Sequence, residues 1–82
     1  MAKQASEITK PFERTAAEYV ARGEAHAQLA RECMAAGDWG KALAHYDRAC
    51  KCFAKGQDPH RAARASLAYT AAETAIFSFI DR

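Results

Sequence analysis

Apolar and small residues recur along the first half of the chain as Phe12, Ala16, Tyr19/Val20, Gly23, Ala27, Ala30 and Met34. These three- and four-residue steps trace one face of a helix and predict it from about Pro11 to Ala36. Pro11 sits where a first helical turn tolerates it, because the missing N–H would be unpaired there anyway. A second run, Trp39, Leu43, Tyr46, Cys50 and Phe53, alternates steps of four and three, so all five share a seam facing a neighbour. A third helix is predicted from Pro59 to about Ile80, closing on Ile76, Phe77, Phe79 and Ile80. Residues 1–9 are mostly polar and unperiodic, which predicts a flexible tail ahead of a single helical domain at 10–82.

The boundaries are written in turn chemistry. Gly37 fits the position after a helix that needs positive φ, and Asp38 fits the N-cap of the next helix, its carboxylate placed to accept a backbone N–H. Gly56 ends the second helix, and Asp58-Pro59 starts the third, an aspartate N-cap followed by proline at the first helical position. Short connections favour antiparallel neighbours. The expected fold is all-α, an antiparallel three-helix bundle built on a helical hairpin, with helices at about 11–36, 39–55 and 59–80. Ala16, Gly23, Ala27 and Ala30 should leave a shallow groove on the first helix, filled by Trp39, Leu43 and Tyr46, with Trp39 marking the core seam.

Composition changes this picture in one respect, which is how well such a bundle closes. Ile, Leu, Val and Phe number only 11 in 82 residues, yet 21 alanines supply helix propensity and the net charge is just +2, so the chain should fold and be helical. Of 15 large apolar residues from Phe12 to Ile80, four fall within 76–80. The core is therefore thin, and a partner or a second copy is expected on stability grounds. Cys33, Cys50 and Cys52 cannot all pair, and with no secretory apolar run they read as reduced thiols in a cytoplasm. The alanine content is of the kind common in GC-rich bacteria and their phages.

Ala27-x-Leu29-Ala30, then Gly37-Asp38-Trp39-x-x-Ala42-Leu43-x-x-Tyr46-x-x-Ala49, resembles one tetratricopeptide repeat across residues 27–49. His26 and Cys33 stand where that family usually has aromatics, and the proline expected after the second helix arrives late, as Pro59. One unit is present where about three are needed to bury their faces, so a concave binding groove does not follow from the resemblance. Tyr69 ahead of Ala72-Glu73 is similar to the third helix of microtubule-interacting and transport domains, and the glycine-aromatic turn to the ANR group of short bacterial regulators. All three resemblances imply binding to other proteins through helix faces.

No reaction chemistry is assembled by the spacing. His26 and Cys33, seven residues apart on one helix, are separated by about 10 Å along its axis and cannot touch. His26 falls at the border of the buried face. There is no phosphate-cradling glycine loop and no paired-carboxylate constellation, so neither an enzyme nor a catalytic residue is expected. Cys50 and Cys52 lie about 200° apart around their helix, which is awkward for a shared metal ion. No metal site and no cofactor are expected.

Two surfaces remain. Residues 41–64 hold six basic side chains against two acidic ones, and Lys41, His45, Arg48 and Lys55 follow one face opposite the Trp39-Tyr46-Phe53 seam, with Arg61 and Arg64 beginning the next helix. This is either a solvated outer face or a docking surface for an acidic protein or a nucleic-acid backbone. Ile76, Phe77, Phe79 and Ile80 span roughly 160° of helix circumference, wider than one neighbour requires, and read either as the end of the core or as a contact surface. The expected function is a small non-enzymatic protein-binding module, an adaptor, chaperone, inhibitor or regulator, acting on another protein with an acidic surface. Self-association as a homodimer is a further reading. The alternative is a small nucleic-acid-associated regulator using the basic residues of 41–64. No segment suits a membrane span.

Overall fold

The computed structural model describes residues 14–80, which form three α-helices and no strand: α1 (Ala16–Ala35), α2 (Trp39–Lys55) and α3 (Pro59–Ile80). They make an all-α antiparallel three-helix bundle. The tail expected at 1–9 and the start expected at Pro11 lie outside the described residues. Thr15 is extended, at φ −71° and ψ 164°, and is the N-cap of α1. Its hydroxyl accepts the Glu18 N–H at 3.2 Å, and the Glu18 carboxylate accepts the Thr15 N–H at 3.0 Å. This capping box satisfies two donors that a helix start leaves orphaned, so α1 begins five residues later than the apolar periodicity alone suggests.

The two connections are built alike. After α1, Asp38 N–H donates to the Cys33 carbonyl and Gly37 N–H to that of Met34, the paired bonds of a Schellman turn, with Gly37 at φ +79°. After α2, Asp58 N–H donates to Phe53 and Gln57 N–H to Ala54 in the same pattern. Here the left-handed position is Gln57, at φ 59°, while Gly56 at φ −79° remains on the ordinary side. Gly56 serves space instead, since a Cβ on it would lie 2.7 Å from Val20 Cγ2 and 2.9 Å from the Ala16 carbonyl oxygen. Asp58 caps α3 as expected, accepting the Arg61 N–H at 3.0 Å. Asp38 does not: its carboxylate caps nothing and pairs with Lys41 at 3.5 Å.

α1 and α3 both pack on α2 and meet each other only weakly. Two small clusters make the core, Ala27 with Ala49, Phe53 and Ala65, and Ala30 with Tyr46 and Ala72. Each takes residues from all three helices, so the rings of α2 fill the angle between their neighbours. The small residues of α1 act as expected from Gly23 to Ala30, all buried, whereas Ala16 is exposed. What fills their groove is corrected: Tyr46 and Phe53 are buried, while Trp39 and Leu43 are only half-buried. Phe53 lies against Gly23, where an added Cβ would fall 2.6 Å from the ring. Trp39 sits at the first turn of α2, with its edge against Phe79 at 4.7 Å between centroids.

Candidate functional site

Because α1 and α3 flank α2 without closing on each other, a groove runs between them. Its walls are Glu24, Ala27 and Arg31 from α1 and Arg61, Arg64, Ala65 and Ala68 from α3, over a floor of Tyr46 and Phe53. The recess holds about 200 Å³, and a second recess of about 340 Å³ continues it past Arg31 and Tyr46 to Met34, Ala71 and Ala72. The first is smaller than the roughly 300–1,000 Å³ usual for small-molecule sites. It is the size of a socket for apolar side chains.

Charge collects on the rim. Arg61 Nε reaches across from α3 to Glu24 Oε1 on α1 at 2.7 Å, and Arg61 Nη1 donates to Asp58 Oδ2 at 2.6 Å. Hydrogen bonds from the Arg61 backbone and side chain hold the Asp58 carboxyl below its ordinary range, and the same partner raises Arg61. Arg31 Nη2 donates to the side-chain Oε1 of Gln28 at 2.6 Å, and neither Arg31 nor Arg64 meets a carboxylate among the described residues. The groove thus presents an apolar floor between two arginines, with an ion pair bridging its walls nearby.

The basic residues singled out in the sequence do not form one patch. Arg61 and Arg64 line the groove, whereas Lys41, Arg48 and Lys55 lie about 140–180° around α2 from Tyr46, on the back of the bundle. Lys55 Nζ stands 5.7 Å from the Tyr19 ring centroid, a cation–π contact with α1. His45 is not on that solvent-facing stripe. It lies about 100° from Tyr46 on the flank facing α1, and its Nδ1 is 3.0 Å from His26 Nδ1, with the rings stacked at 5.3 Å. One of these nitrogens must carry the proton and the other accept it. At the other end, Ile76 is half-buried, Phe79 touches Trp39, and Phe77 and Ile80 are exposed.

Burial, then the facing His45, then Arg48 and Arg22 push the His26 pKa below its ordinary value. A depressed histidine binds its proton more tightly in the unfolded chain, so its stabilising contribution is present above about pH 6.5 and is lost as pH falls toward the folded value. Between about pH 8 and pH 5 the melting temperature should fall, and it should fall less in His26→Gln. The carboxyls of Glu18 and Asp58, both shifted down, titrate below that window. Equal pH dependence in the two proteins, followed by circular dichroism, would assign the effect elsewhere.

Glu24 and Arg31 were the wall residues the periodicity left unmarked, although their seven-residue spacing puts both beside Ala27. Among the described residues no three His, Cys, Asp or Glu side chains gather as a metal-binding group, and no helix is long and apolar enough to cross a membrane. Cys33, Cys50 and Cys52 are free thiols, Cys50 Sγ lying 3.5 Å from the Ala62 carbonyl oxygen. No family model, no curated protein and no solved structure matches the chain.

Proposed function

We propose that this chain is a non-enzymatic protein-binding module, an adaptor or regulator working in the cytoplasm, that receives a segment of a partner bearing acidic groups in the groove between α1 and α3. The observation carrying this reading is the apolar floor of Tyr46 and Phe53 between Arg31 and Arg64, two cations on facing walls that meet no carboxylate among the described residues. A partner side chain would fill the recess while its flanking carboxylates take the arginines, dividing the work between burial and charge-assisted hydrogen bonds. The resemblance of residues 27–49 to a tetratricopeptide hairpin supports the same class of partner.

A synthetic amphipathic peptide of leucine and glutamate is the direct probe, followed by amide chemical shifts on titration. Perturbation should centre on Ala27, Ala65 and Ala68, and Arg31→Glu with Arg64→Glu should weaken binding at least about tenfold, or 1.4 kcal/mol. A lysine-for-glutamate version of the peptide should bind worse still. Perturbation confined to other faces, or none at saturating peptide, would overturn the groove assignment. The stripe of Lys41, Arg48 and Lys55 favours one second reading, a nucleic-acid backbone along the back of α2. Steeply salt-dependent binding to duplex DNA, abolished by charge reversal at those three residues, would establish it.

A further inference from the structure

The two recesses of the groove repeat each other along its length. On α1 the first is walled by Ala27 and the second by Met34; on α3 the corresponding residues are Ala65 and Ala72, a step of seven residues on both walls. Tyr46 and Ala68 line both recesses and mark the saddle between them. Seven residues of helix rise about 10.5 Å. The groove therefore offers two apolar seats at that spacing, between walls that run in the same direction because each is antiparallel to α2.

An extended chain does not match these seats. Its side chains on one face recur about every 6.7 Å, so same-face pairs miss the spacing by roughly 3 Å or more. A helix matches it with residues i and i+7, which rise by the same seven residues and lie within about 20° of each other around the axis. Residue i+3 or i+4 then falls over Tyr46. Backbone chemistry selects in the same direction. The walls are helices whose N–H and C=O groups are bonded internally, and neither recess is lined by an Asn, Gln, Ser or Thr side chain to pair with an extended backbone. Over an apolar floor the occupant must satisfy its own backbone, as a helix does. Ala27 on α1 and Ala65, Ala68, Ala71 and Ala72 on α3 keep the walls low, and small residues of this kind let helix axes approach to about 8–10 Å.

We infer that the partner segment is an amphipathic helix seated as a fourth helix in the angle between α1 and α3, with large apolar side chains at i and i+7 in the two recesses and carboxylates beside them. This rests on the groove being the partner site, and fixes the conformation and register of what enters it. Charge places the carboxylates. Arg31 borders both recesses on the α1 side and Arg64 borders the first on the α3 side, so acidic residues belong on both flanks of the first apolar anchor and on the α1 flank of the second. Three turns of helix, about 11 residues, cover both recesses. A helix so short is marginal in water, so the segment folds as it binds.

Two peptides of identical composition test this against the whole chain. Each holds roughly 15 residues of leucine, glutamate and alanine, with the leucines spaced by three and four in one and by two in the other. The helix-spaced peptide should bind at least about tenfold more tightly, or 1.4 kcal/mol. It should gain helical circular dichroism on binding and shift the amides of Ala27 and Met34 together with those of Ala65 and Ala72. Proline at its centre should abolish binding, because it breaks the helix and leaves the charges in place. If the alternating peptide binds the same amides as tightly, or the helix-spaced peptide binds them without gaining helicity or despite the proline, the helical occupant is overturned while the groove stands as the partner site. If neither peptide shifts the groove amides at saturating concentration, both are overturned.

Discussion

Phe53→Ala should leave the chain largely unfolded at room temperature. Phe53 is 3% exposed and joins all three helices, with Gly23 and Ala27 of α1 on one side and Ala65 of α3 on the other. Apart from Tyr46, every other hydrophobic residue in the buried core is an alanine, so two rings supply nearly all of its large apolar surface. Truncating a buried phenylalanine costs about 3–5 kcal/mol, the transfer of the ring plus the cavity it leaves. A chain of 82 residues has roughly 4–12 kcal/mol in total, and an alanine-rich core places this one toward the low end. Gly23 and the alanines of its cluster are too small to refill the space, and of larger residues only Val20 and Cys50 pack against the cluster from its edge. Phe53→Leu, which keeps part of the volume, should fold with a lowered urea midpoint. If Phe53→Ala instead melts within a few degrees of wild type, the two rings do not carry the core.

The same clusters show which parts of the fold were legible in the sequence. Helix boundaries were readable wherever a cap or turn residue announced them, as at Gly37, Asp58 and Pro59. The Thr15/Glu18 capping box marks the start of α1 in the structure, a signal in the sequence that the apolar period running back to Phe12 masks. The seam of α2 was readable as a direction and not as a set of burial depths. Trp39 and Phe53 share the stripe, yet Trp39 lies at the first turn, where α1 has already ended at Ala35 and only α3 is alongside. Phe53 has both neighbours. α3 has 22 residues to the 17 of α2, so its last turn runs past the start of α2 by about 7 Å and leaves Ile80 uncovered, whereas Phe77 is exposed because it lies on the side of α3 turned away from α2.

The candidate site was less legible, for a reason of geometry. Periodicity assigns residues to faces of their own helix, whereas a groove between α1 and α3 depends on how far apart α2 holds them. Arg61 illustrates the difference. In sequence it continues a basic run, but its backbone N–H is the one that the Asp58 cap accepts, and its guanidinium is shared between Asp58 and Glu24. Four residues after Lys41, His45 follows the basic stripe in sequence, yet the 100° step from Tyr46 turns it toward α1 and His26. Exposed ion pairs such as Arg61 with Glu24 contribute little to stability. Their role here is to fix where the groove's charges point.

Opposite responses at adjacent residues should reveal what the second turn requires. In Gly56→Ala the new methyl meets Val20 Cγ2 at 2.7 Å and, at 2.9 and 3.1 Å, the Ala16 carbonyl oxygen and Val20 nitrogen, which belong to the α1 backbone and cannot swing aside. Overpacking of this kind costs about 1–3 kcal/mol. It works against the roughly 0.5–1 kcal/mol by which alanine is otherwise preferred to glycine at a helical φ, so a net loss is itself evidence that the end of α2 lies close against α1. Gln57→Gly changes the neighbouring residue, held at φ 59°, where a side chain costs about 1–2 kcal/mol and glycine nothing. Against that stands the greater freedom glycine gives the unfolded chain, leaving a net gain of about 0.5–1 kcal/mol. Urea denaturation of the two variants beside wild type should move the midpoint down for Gly56→Ala and up for Gln57→Gly. A midpoint that rises for Gly56→Ala would mean that the end of α2 is not held close against α1, and one that falls for Gln57→Gly would mean that the left-handed φ of Gln57 carries no net strain.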